Sequence, residues 1–173
     1  TRSGYMTSWE DLGASWQGFT DASASLSALK YEVCVGTSPV GCQLLRFSKG
    51  GVAGTSWSVA TRLGSLAAPL IALQCGATYH VAVRATNCAG LERVVASDGV
   101  KHCCHPPSGG RVTLVDAAGD AASFVSSVDG LRIVWSGFDE PCAGVSHYAV
   151  ALVSTLGDTV WTQNVSAANF SGE

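Results

Sequence analysis

The feature of this sequence that most constrains its fold is an internal repeat. Two fifteen-residue segments align without a gap and place Trp16 opposite Trp135, at an offset of 119 residues (135 minus 16). A later match pairs Tyr31 with Tyr148 at an offset of 117, so copy one carries two extra residues between the matches. A chain of 173 residues fits one large domain or two small ones. The repeat predicts two.

Within the copies, apolar residues alternate with polar ones. Val33 and Val35 follow Tyr31 at every second position, and the same period returns at Val81 and Val83. This is the period of a half-buried strand, whereas helical periodicity is nearly absent. Clusters of Gly and Pro separate these runs in the manner of turns. The pattern therefore predicts an all-β fold of tandem β-sandwiches, the second of them incomplete in this chain.

The strands can be assigned with the letters of such a sandwich. In copy one, strand A is missing or reduced, and strands B, C, C′, E, F and G are predicted over residues 12–16, 29–35, 43–48, 56–62, 78–86 and 93–100. In copy two, A, B, C and C′ are predicted over residues 111–116, 131–135, 146–153 and 159–163, without E, F and G. We predict a first domain over residues 1–101, a Cys/Pro/Gly linker over residues 102–110 and the N-terminal half of a second domain over residues 111–173.

Composition and charge exclude several partners. A net charge of −3 with 13% charged residues lacks the basic surface that a nucleic-acid binder requires, so nucleic acid is not an expected partner. The longest apolar stretch, residues 66–73, is interrupted by Pro69 and is shorter than the ~20 residues that cross a bilayer, so no membrane span is expected in this segment. No signal peptide is visible in residues 1–9, and we expect one upstream.

The cysteines indicate an oxidising compartment. The chain has seven of them and no pair of CxxC motifs to bind a metal, so disulfides are expected. Asn164-Val-Ser and Asn169-Phe-Ser are N-glycosylation triplets, and we predict glycans on both asparagines in an exposed loop. An extracellular, cell-surface location follows from both features.

The strand assignment predicts a disulfide scheme. The C to C′ hairpin joins the first pair, one end of the sandwich holds the second, and the linker and the B to C loop of copy two hold the third. The three predicted bonds are Cys34–Cys42, Cys75–Cys103 and Cys104–Cys142. Cys88 is left over, and we expect it to bond a cysteine that precedes this segment or belongs to a neighbouring subunit.

Several motifs resemble a known family. The Leu-Gln-Cys-Gly-Ala-Thr-Tyr string ending at Tyr79, followed by Val81 and Val83, is similar to the tyrosine corner and strand F of fibronectin type III domains. Trp16 and Trp135 stand where that family buries a tryptophan of strand B. The resemblance implies fibronectin-III-like sandwiches with a buried inner face. The residues expected to be buried in copy one are Trp16, Phe19, Tyr31, Val33, Val35, Tyr79, Val81 and Val83.

A narrower resemblance comes from Trp-x-Gly-Phe, from Tyr-x-Val-x-Val-Gly-Thr at Tyr31 and from Arg-Ala-Thr-Asn-Cys-Ala-Gly at Arg84. These strings look like a divergent variety that recurs in large secreted or surface proteins of green algae and other protists. Some of those proteins form cell-surface filaments such as mastigonemes. The motifs are structural, so they imply a fold more directly than a function.

No motif predicts a metal site or other cofactor. His102-Cys103-Cys104-His105 holds four potential ligands, but neighbouring side chains on an extended chain point in opposite directions and cannot close a tetrahedron. Asp139 and Glu140 follow strand B of copy two, where they form a weak Ca²⁺ site or, equally well, cap a turn.

No catalytic constellation is visible. The four histidines, His80, His102, His105 and His147, have no identifiable nucleophile and orienting carboxylate, and no Gly-x-Ser-x-Gly occurs. His80 is expected on the solvent face of strand F. We therefore predict that the chain is not an enzyme.

Three tryptophans leave a binding role open. Trp9, Trp57 and Trp161 either stack on sugars and neighbouring proteins or cover the ends of the sandwiches, and the second interpretation is favoured.

The favoured function is that of a structural repeat in an extracellular, disulfide-linked, N-glycosylated surface protein or filament, with flanking repeats and neighbouring subunits as partners. The alternatives are an adhesive receptor ectodomain or a carbohydrate-binding accessory module of a secreted enzyme. Copy two lacks the strands that would cover its apolar faces, so we expect further residues or another chain to complete it.

Overall fold

The structure, a computed structural model, describes residues 4–22, 29–47, 51–59, 72–122 and 131–169. It divides into two compact units, unit 1 over Thr1–Cys104 and unit 2 over His105–Glu173. The division falls between residues 104 and 105, inside the stretch predicted as a linker. Strands dominate both units, which confirms an all-β fold. None of the helices among the described residues is long and apolar enough to span a bilayer.

Unit 1 contains seven strands and two sheets in its described residues. Five strands form the larger sheet, in which β5 pairs with β3, β6 and β7, and β1 pairs with β7; the smaller sheet pairs β2 with β4. The strands are β1 (Tyr5–Met6), β2 (Gly13–Ser15), β3 (Lys30–Gly36), β4 (Ser56–Ser58), β5 (Thr78–Thr86), β6 (Glu92–Ala96) and β7 (Val100–His102). A short 3₁₀ turn, Trp9–Asp11, precedes β2.

The core of unit 1 lies between these two sheets. Val33 and Val35 of β3 and Val81 and Val83 of β5 are each at most 5% exposed. The residues between them, Cys34 and Ala82, are buried as well, so both faces of these two strands are covered there. Trp57 of the smaller sheet packs against the four valines. Burial at this level stabilises each apolar side chain by about 1.5–3 kcal/mol.

Three of the eight residues predicted to be buried are only partly buried, namely Trp16, Phe19 and Tyr31. Strand β2 ends at Ser15, and the backbone N–H of Trp16 makes one further hydrogen bond, to the carbonyl of Thr55 at 3.0 Å, before the chain leaves the sheet. The Trp16 and Phe19 side chains therefore line a surface groove beside β5 and β6 instead of a sealed core.

Strand boundaries differ from the prediction for three strands of unit 1, namely C′, G and E. Predicted strand C′ is reduced to a single bridge between Leu45 and Val35, and residues 48–50 lie outside the described part of the chain. Predicted strand G is split into β6 and β7. Gly99 lies between them with φ +99°, and a Cβ there would come within 2.7 Å of Thr78 and His80. The predicted strand E ends early, at Ser58, and the predicted residues 60–62 are not described.

Unit 2 consists of two antiparallel hairpins. Its strands are β8 (Ser108–Val115), β9 (Arg132–Asp139), β10 (His147–Val153) and β11 (Thr159–Ser166). Strand β8 pairs with β9, and β10 pairs with β11, each as a two-stranded sheet. The predicted strands A, B, C and C′ of copy two correspond to these four, with β8 starting three residues earlier and β11 ending three later than expected.

One turn type closes three of the hairpin connections. Asn87, Asp116 and Ser154 each use a side-chain oxygen to accept hydrogen bonds from backbone N–H groups two and four residues further on, at 2.9–3.2 Å. A glycine with positive φ stands three residues after each of them: Gly90, Gly119 and Gly157. The spacing Asn/Asp/Ser-x-x-Gly is therefore a turn signal, which the alternation of apolar residues does not reveal.

Candidate functional site: the uncovered edge and inner face of unit 2

The aromatic cluster on which the sequence repeat rests recurs in both units. In unit 1 the Tyr31 ring lies 5.6 Å from Trp16 and 5.7 Å from Phe19, between ring centroids. In unit 2 the Tyr148 ring lies 5.6 Å from both of its matching aromatic rings, those of Trp135 and Phe138, with similar tilts. Equivalent residues thus build equivalent local structure in the two units.

The surroundings of that cluster differ. In unit 1, β5 pairs with β3, and its Val81 and Val83 lie opposite Val35 and Val33 in the core. In unit 2, β10 is the equivalent of β3, and within the described residues it pairs with β11 alone. No described strand of unit 2 therefore takes the place that β5 has in unit 1.

The uncovered edge of β10 can be defined by its backbone groups. The carbonyl of Ser146 accepts a hydrogen bond from Ala167, and the N–H of Ser154 donates one to Asp158, so these even-numbered residues point toward β11. Because backbone groups alternate along a strand, Ala149 and Ala151 point their N–H and C=O groups toward the other edge. Both alanines are exposed, and their small side chains leave this edge accessible.

An apolar cleft of about 670 Å³ follows the same edge. Six consecutive residues of β10, from His147 to Leu152, line it, and the opposite wall is formed by β8 and β9 through Val112, Leu114, Ile133, Trp135 and Phe138. Consecutive residues of a strand face opposite sides, so a cleft that touches all of them runs along the strand edge. Among its lining side chains, His147 is the single titratable group apart from the Tyr148 phenol.

Exposed apolar side chains are widespread in unit 2, and four of them, Val112, Leu114, Phe138 and Leu152, line the cleft. In the described part of this unit Val115 is the one hydrophobic residue that is fully buried. Large apolar side chains that are 36–88% exposed there are Val112, Leu114, Val134, Phe138, Leu152, Val153, Leu156, Val160 and Trp161. Exposed apolar area of this extent on adjacent strands is typical of an interaction surface.

The disulfides agree with the prediction at one pair. Cys34 bonds Cys42, with a Cα–Cα distance of 5.3 Å, as the hairpin argument predicts. The pairings Cys75–Cys103 and Cys104–Cys142 are wrong, because Cys75 bonds Cys104. Cys103 and Cys142 are also disulfide-bonded.

The reason for the error is the alternation of side chains after β7. His102 is buried and its Nδ1 lies 3.2 Å from the carbonyl oxygen of Gln74, so its side chain faces the turn that holds Cys75. The side chain two residues on, that of Cys104, faces the same way, whereas the one between them points away. Cys103 and Cys104 are both close to the end of predicted strand G, so their positions in the sequence did not show which of them faces Cys75.

The structure also locates Cys88, the two asparagines of the glycosylation triplets and His80. Cys88 lies exposed in the turn between β5 and β6. Asn164 is exposed but lies within β11, not in a loop, because the strand continues to Ser166. Asn169 ends a 3₁₀ turn, Ala167–Asn169. His80 is half-buried, and its Nδ1 lies 3.1 Å from the carbonyl oxygen of Ser97.

Two of the three tryptophans, Trp9 and Trp57, and one of the two acidic residues, Glu140, follow the structural interpretations. Trp57 is buried, and Trp9 packs edge-on against Tyr79 with ring centroids 6.5 Å apart. Trp161 is 44% exposed and pairs across the β10–β11 hairpin with Leu152. Glu140 accepts backbone hydrogen bonds from the turn that follows it, so capping explains this carboxylate.

Comparisons of the chain with protein-family models, with curated proteins and with solved structures find no significant match.

Proposed function

We propose that this chain is a structural module of an extracellular, N-glycosylated surface protein or filament, and that it acts through assembly of β-sandwich repeats. The single observation that carries the proposal is the uncovered edge of β10 together with the apolar cleft beside it. A face that is covered in unit 1 and uncovered in its repeat is a surface for another polypeptide segment.

The internal repeat specifies what that segment is. In unit 1 the β3 edge equivalent to Ala149 and Ala151 belongs to Glu32 and Cys34, which lie opposite Arg84 and Ala82 of β5. An antiparallel strand with the pattern of β5 therefore fits β10, with the residues equivalent to Ala85, Val83 and Val81 against Tyr148, Val150 and Leu152. Its backbone groups would pair with the β10 edge, while its side chains would fill the cleft.

Two features support the fibronectin-III-like interpretation of the repeats. The backbone N–H of Gln74 donates to the Tyr79 hydroxyl at 2.8 Å, which is the arrangement of a tyrosine corner at the start of strand F. The units also hold complementary strands, because strand B pairs with E in unit 1 and with A in unit 2. Together they supply every strand of the two sheets of such a sandwich.

The same proposal assigns roles to the glycans and to Cys88. Asn164 lies on β11, which pairs with the other edge of β10 and contributes no residue to the cleft, so a glycan there leaves the uncovered β10 edge accessible. Exposure of Cys88 in a turn suits a disulfide to another subunit or to a preceding segment. Six cysteines are already disulfide-bonded, which is typical of extracellular proteins. None of these roles requires catalysis, and we propose that the chain is not an enzyme.

A carbohydrate-binding module is the second candidate, and the observation that favours it is the exposed Trp161. Trp161 lies across from Leu152, a residue of the cleft, so an added strand that packs on Leu152 reaches the vicinity of this ring. Assembly therefore accounts for the exposed tryptophan as well as for the cleft, whereas sugar stacking accounts only for the tryptophan.

The test is a strand-addition titration with the full chain. A peptide with the sequence of residues 77–87, which contains β5, should bind with one-to-one stoichiometry and change the tryptophan fluorescence. The same peptide with Val81→Asp and Val83→Asp is the matched control and should not bind.

Two chain variants locate the binding. Leu152→Lys in unit 2 should weaken it about tenfold or more, because it places a charge in the cleft, whereas Val95→Lys on the exposed β6 of unit 1 should not. Equal binding of both peptides, or loss of binding with Val95→Lys alone, would contradict the proposal. Binding of chitin or cellulose oligosaccharides that is lost with Trp161→Ala would favour the second candidate.

A further inference from the structure

The surface groove of unit 1 is a different site from the cleft of unit 2. It has a volume of about 730 Å³ and runs between β2 of the smaller sheet and β6 of the larger sheet. Val81 and Val83 of β5 line it together with Val95 of β6, which is 48% exposed. Because both β5 valines belong to the core, the groove reaches from solvent to the core between the two sheets.

One edge of β2 borders this groove without a strand partner among the described residues of unit 1. The N–H of Trp16 donates to the carbonyl of Thr55 at 3.0 Å, so the even-numbered residues of β2 direct their backbone groups toward β4. Because backbone groups alternate along a strand, Gly13 and Ser15 direct theirs toward the other edge. Both residues are exposed. Strand β1, which precedes β2 in the chain, pairs with β7 of the larger sheet and does not cover this edge.

The internal repeat identifies the kind of strand that fits there. Strand β9 is the equivalent of β2, because Trp135 matches Trp16, and β9 pairs with β8. In that pair Val112 lies opposite Trp135, and Leu114 follows on the same face. When the register is transferred by the offset of 119 (135 minus 16), these two apolar side chains lie opposite Trp16 and Ala14. Both of those residues line the groove and pack against the core.

The charges of the groove and of β8 are complementary. The charged residues that line the groove are Asp21, Glu92 and Arg93, which give a net charge of −1 (one positive and two negative). Strand β8 has one charged residue, Arg111. The transferred register places it opposite Gln17, another residue of the groove. A strand with the pattern of β8 therefore brings a positive charge to a negatively charged site.

We propose that the groove is a strand-acceptor site, in which an extended segment with the pattern of β8, from another repeat of the same protein, pairs antiparallel with β2. Its backbone groups bond those of Gly13 and Ser15, and its apolar side chains fill the groove, which are the contacts of β-strand addition. The supply of the strand by another repeat rests on the proposed assembly, whereas the site rests on unit 1 and on the β8–β9 register. Each unit then accepts a different strand, an A strand in unit 1 and an F strand in unit 2.

The experiment adds a peptide with the sequence of residues 107–116, which contains β8, to the full chain and follows hydrogen exchange. The amides of Gly13 and Ser15 should exchange at least tenfold more slowly when the peptide saturates the chain. The same peptide with Val112→Asp and Leu114→Asp is the matched control and should give no protection. Unchanged exchange at the two amides, or equal protection by both peptides, would overturn the proposal. Protection of the β6 amides in place of those of β2 would overturn the pairing with β2.

Two chain variants separate this site from the cleft of unit 2. Val95→Lys places a charge in the groove at an exposed position and should weaken binding of the 107–116 peptide about tenfold or more. Leu152→Lys should leave that binding unchanged. The peptide of residues 77–87 should show the opposite dependence on the two variants, so each site can fail without the other. Loss of 107–116 binding with Leu152→Lys and not with Val95→Lys would overturn the assignment to unit 1.

Discussion

Unit 1 and unit 2 contain the same aromatic cluster, but the strand that carries its tyrosine pairs with β5 in unit 1 and has no such partner among the described strands of unit 2. The rings around Tyr31 and around Tyr148 share their spacing, which shows that the repeated residues fix the local geometry without further support. In unit 1 the β5 strand adds five side chains that are at most 5% exposed, namely Tyr79, Val81, Ala82, Val83 and Ala85. In unit 2 the equivalent edge is uncovered, and Val150 and its neighbours line a cleft.

The alternation of apolar residues along a strand and the burial of their side chains therefore have separate causes. The sequences of β3 and β10 share the same alternation of apolar residues. That alternation produces a sealed core only where a second strand lies against the apolar face. Apolar surface left without cover in unit 2 forgoes about 25 cal/mol of stabilisation per Å². We therefore expect the larger effects of substitution in unit 1.

The largest expected effect is on the staple of unit 1. Replacing Cys75 and Cys104 with serine opens a loop closed by a bond with a sequence separation of 29, and chain entropy predicts a loss of about 3–4 kcal/mol. The Cys34 and Cys42 double variant opens a separation of 8 and should lose about 2–3 kcal/mol. Both losses can be measured by urea denaturation in which hydrogen exchange of the β5 amides reports unfolding. A larger loss for the shorter loop would contradict the entropic explanation.

The next largest effect is expected at two equivalent valines, one in each unit. Val33 in unit 1 is 1% exposed, and its equivalent Val150 in unit 2 is half-buried. Val33→Ala should lower the free energy of unfolding of unit 1 by about 2 kcal/mol, whereas Val150→Ala should cost unit 2 less than about 1 kcal/mol. Unit-specific hydrogen exchange by mass spectrometry measures the two separately. Equal losses would show that β10 is as well covered as β3.

The contacts of Arg84 occur in unit 1 and have no equivalent among the described residues of unit 2. The Arg84 guanidinium donates to Glu32 at 2.6 and 2.9 Å and lies over the Phe47 ring at 4.4 Å, and so ties β5 to β3. Arg84→Met keeps the apolar stem and should cost about 1 kcal/mol, less at high salt. Arg93→Met on exposed β6 is the control and should have no measurable effect on the thermal midpoint. A loss that does not depend on salt would assign the effect to packing.

The position equivalent to Glu32 in unit 2 is Ala149, which has no carboxylate. A strand with the pattern of β5 therefore lacks this ion pair when it binds to β10. In the peptide titration, replacing the arginine at position 84 with methionine should leave the affinity for unit 2 nearly unchanged, although the same change in the chain destabilises unit 1.

The smallest effect is a pH dependence confined to unit 1. The Asp11 carboxylate accepts hydrogen bonds from the backbone N–H of Thr7 and then from that of Ser8, which lowers the pKa of Asp11 below its ordinary value of 3.8. A lowered folded-state pKa gives stability that is present above pH 3.8 and is lost as the pH falls through the folded pKa. Asp11→Asn should therefore lower the thermal midpoint slightly at pH 7 and converge with the wild type in stronger acid. Glu10→Gln is the control, and a difference that grows toward low pH would contradict this sign.

How far the sequence predicts this molecule depends on the range of the interaction. Strand F was predicted at its observed bounds, residues 78–86, because alternation is a local property. The Cys75–Cys104 bond was not, because it depends on which face each residue presents after β7. The expected lack of strand F in copy two already implied an uncovered strand C, and the Tyr31 and Tyr148 match identifies it as the β10 edge once the pairing of β3 with β5 is known.

The claim that the β10 edge is uncovered and accepts a strand is tested most directly by hydrogen exchange in the full chain, measured at the edge of β3 that faces β5 and at the equivalent edge of β10. The amides of Glu32 and Cys34 face β5 and should exchange slowly under all conditions. The amides of Ala149 and Ala151 should exchange fast in the chain alone and at least tenfold more slowly when the peptide of residues 77–87 saturates it. Slow exchange at Ala149 and Ala151 without the peptide, or no change with it, would contradict the account.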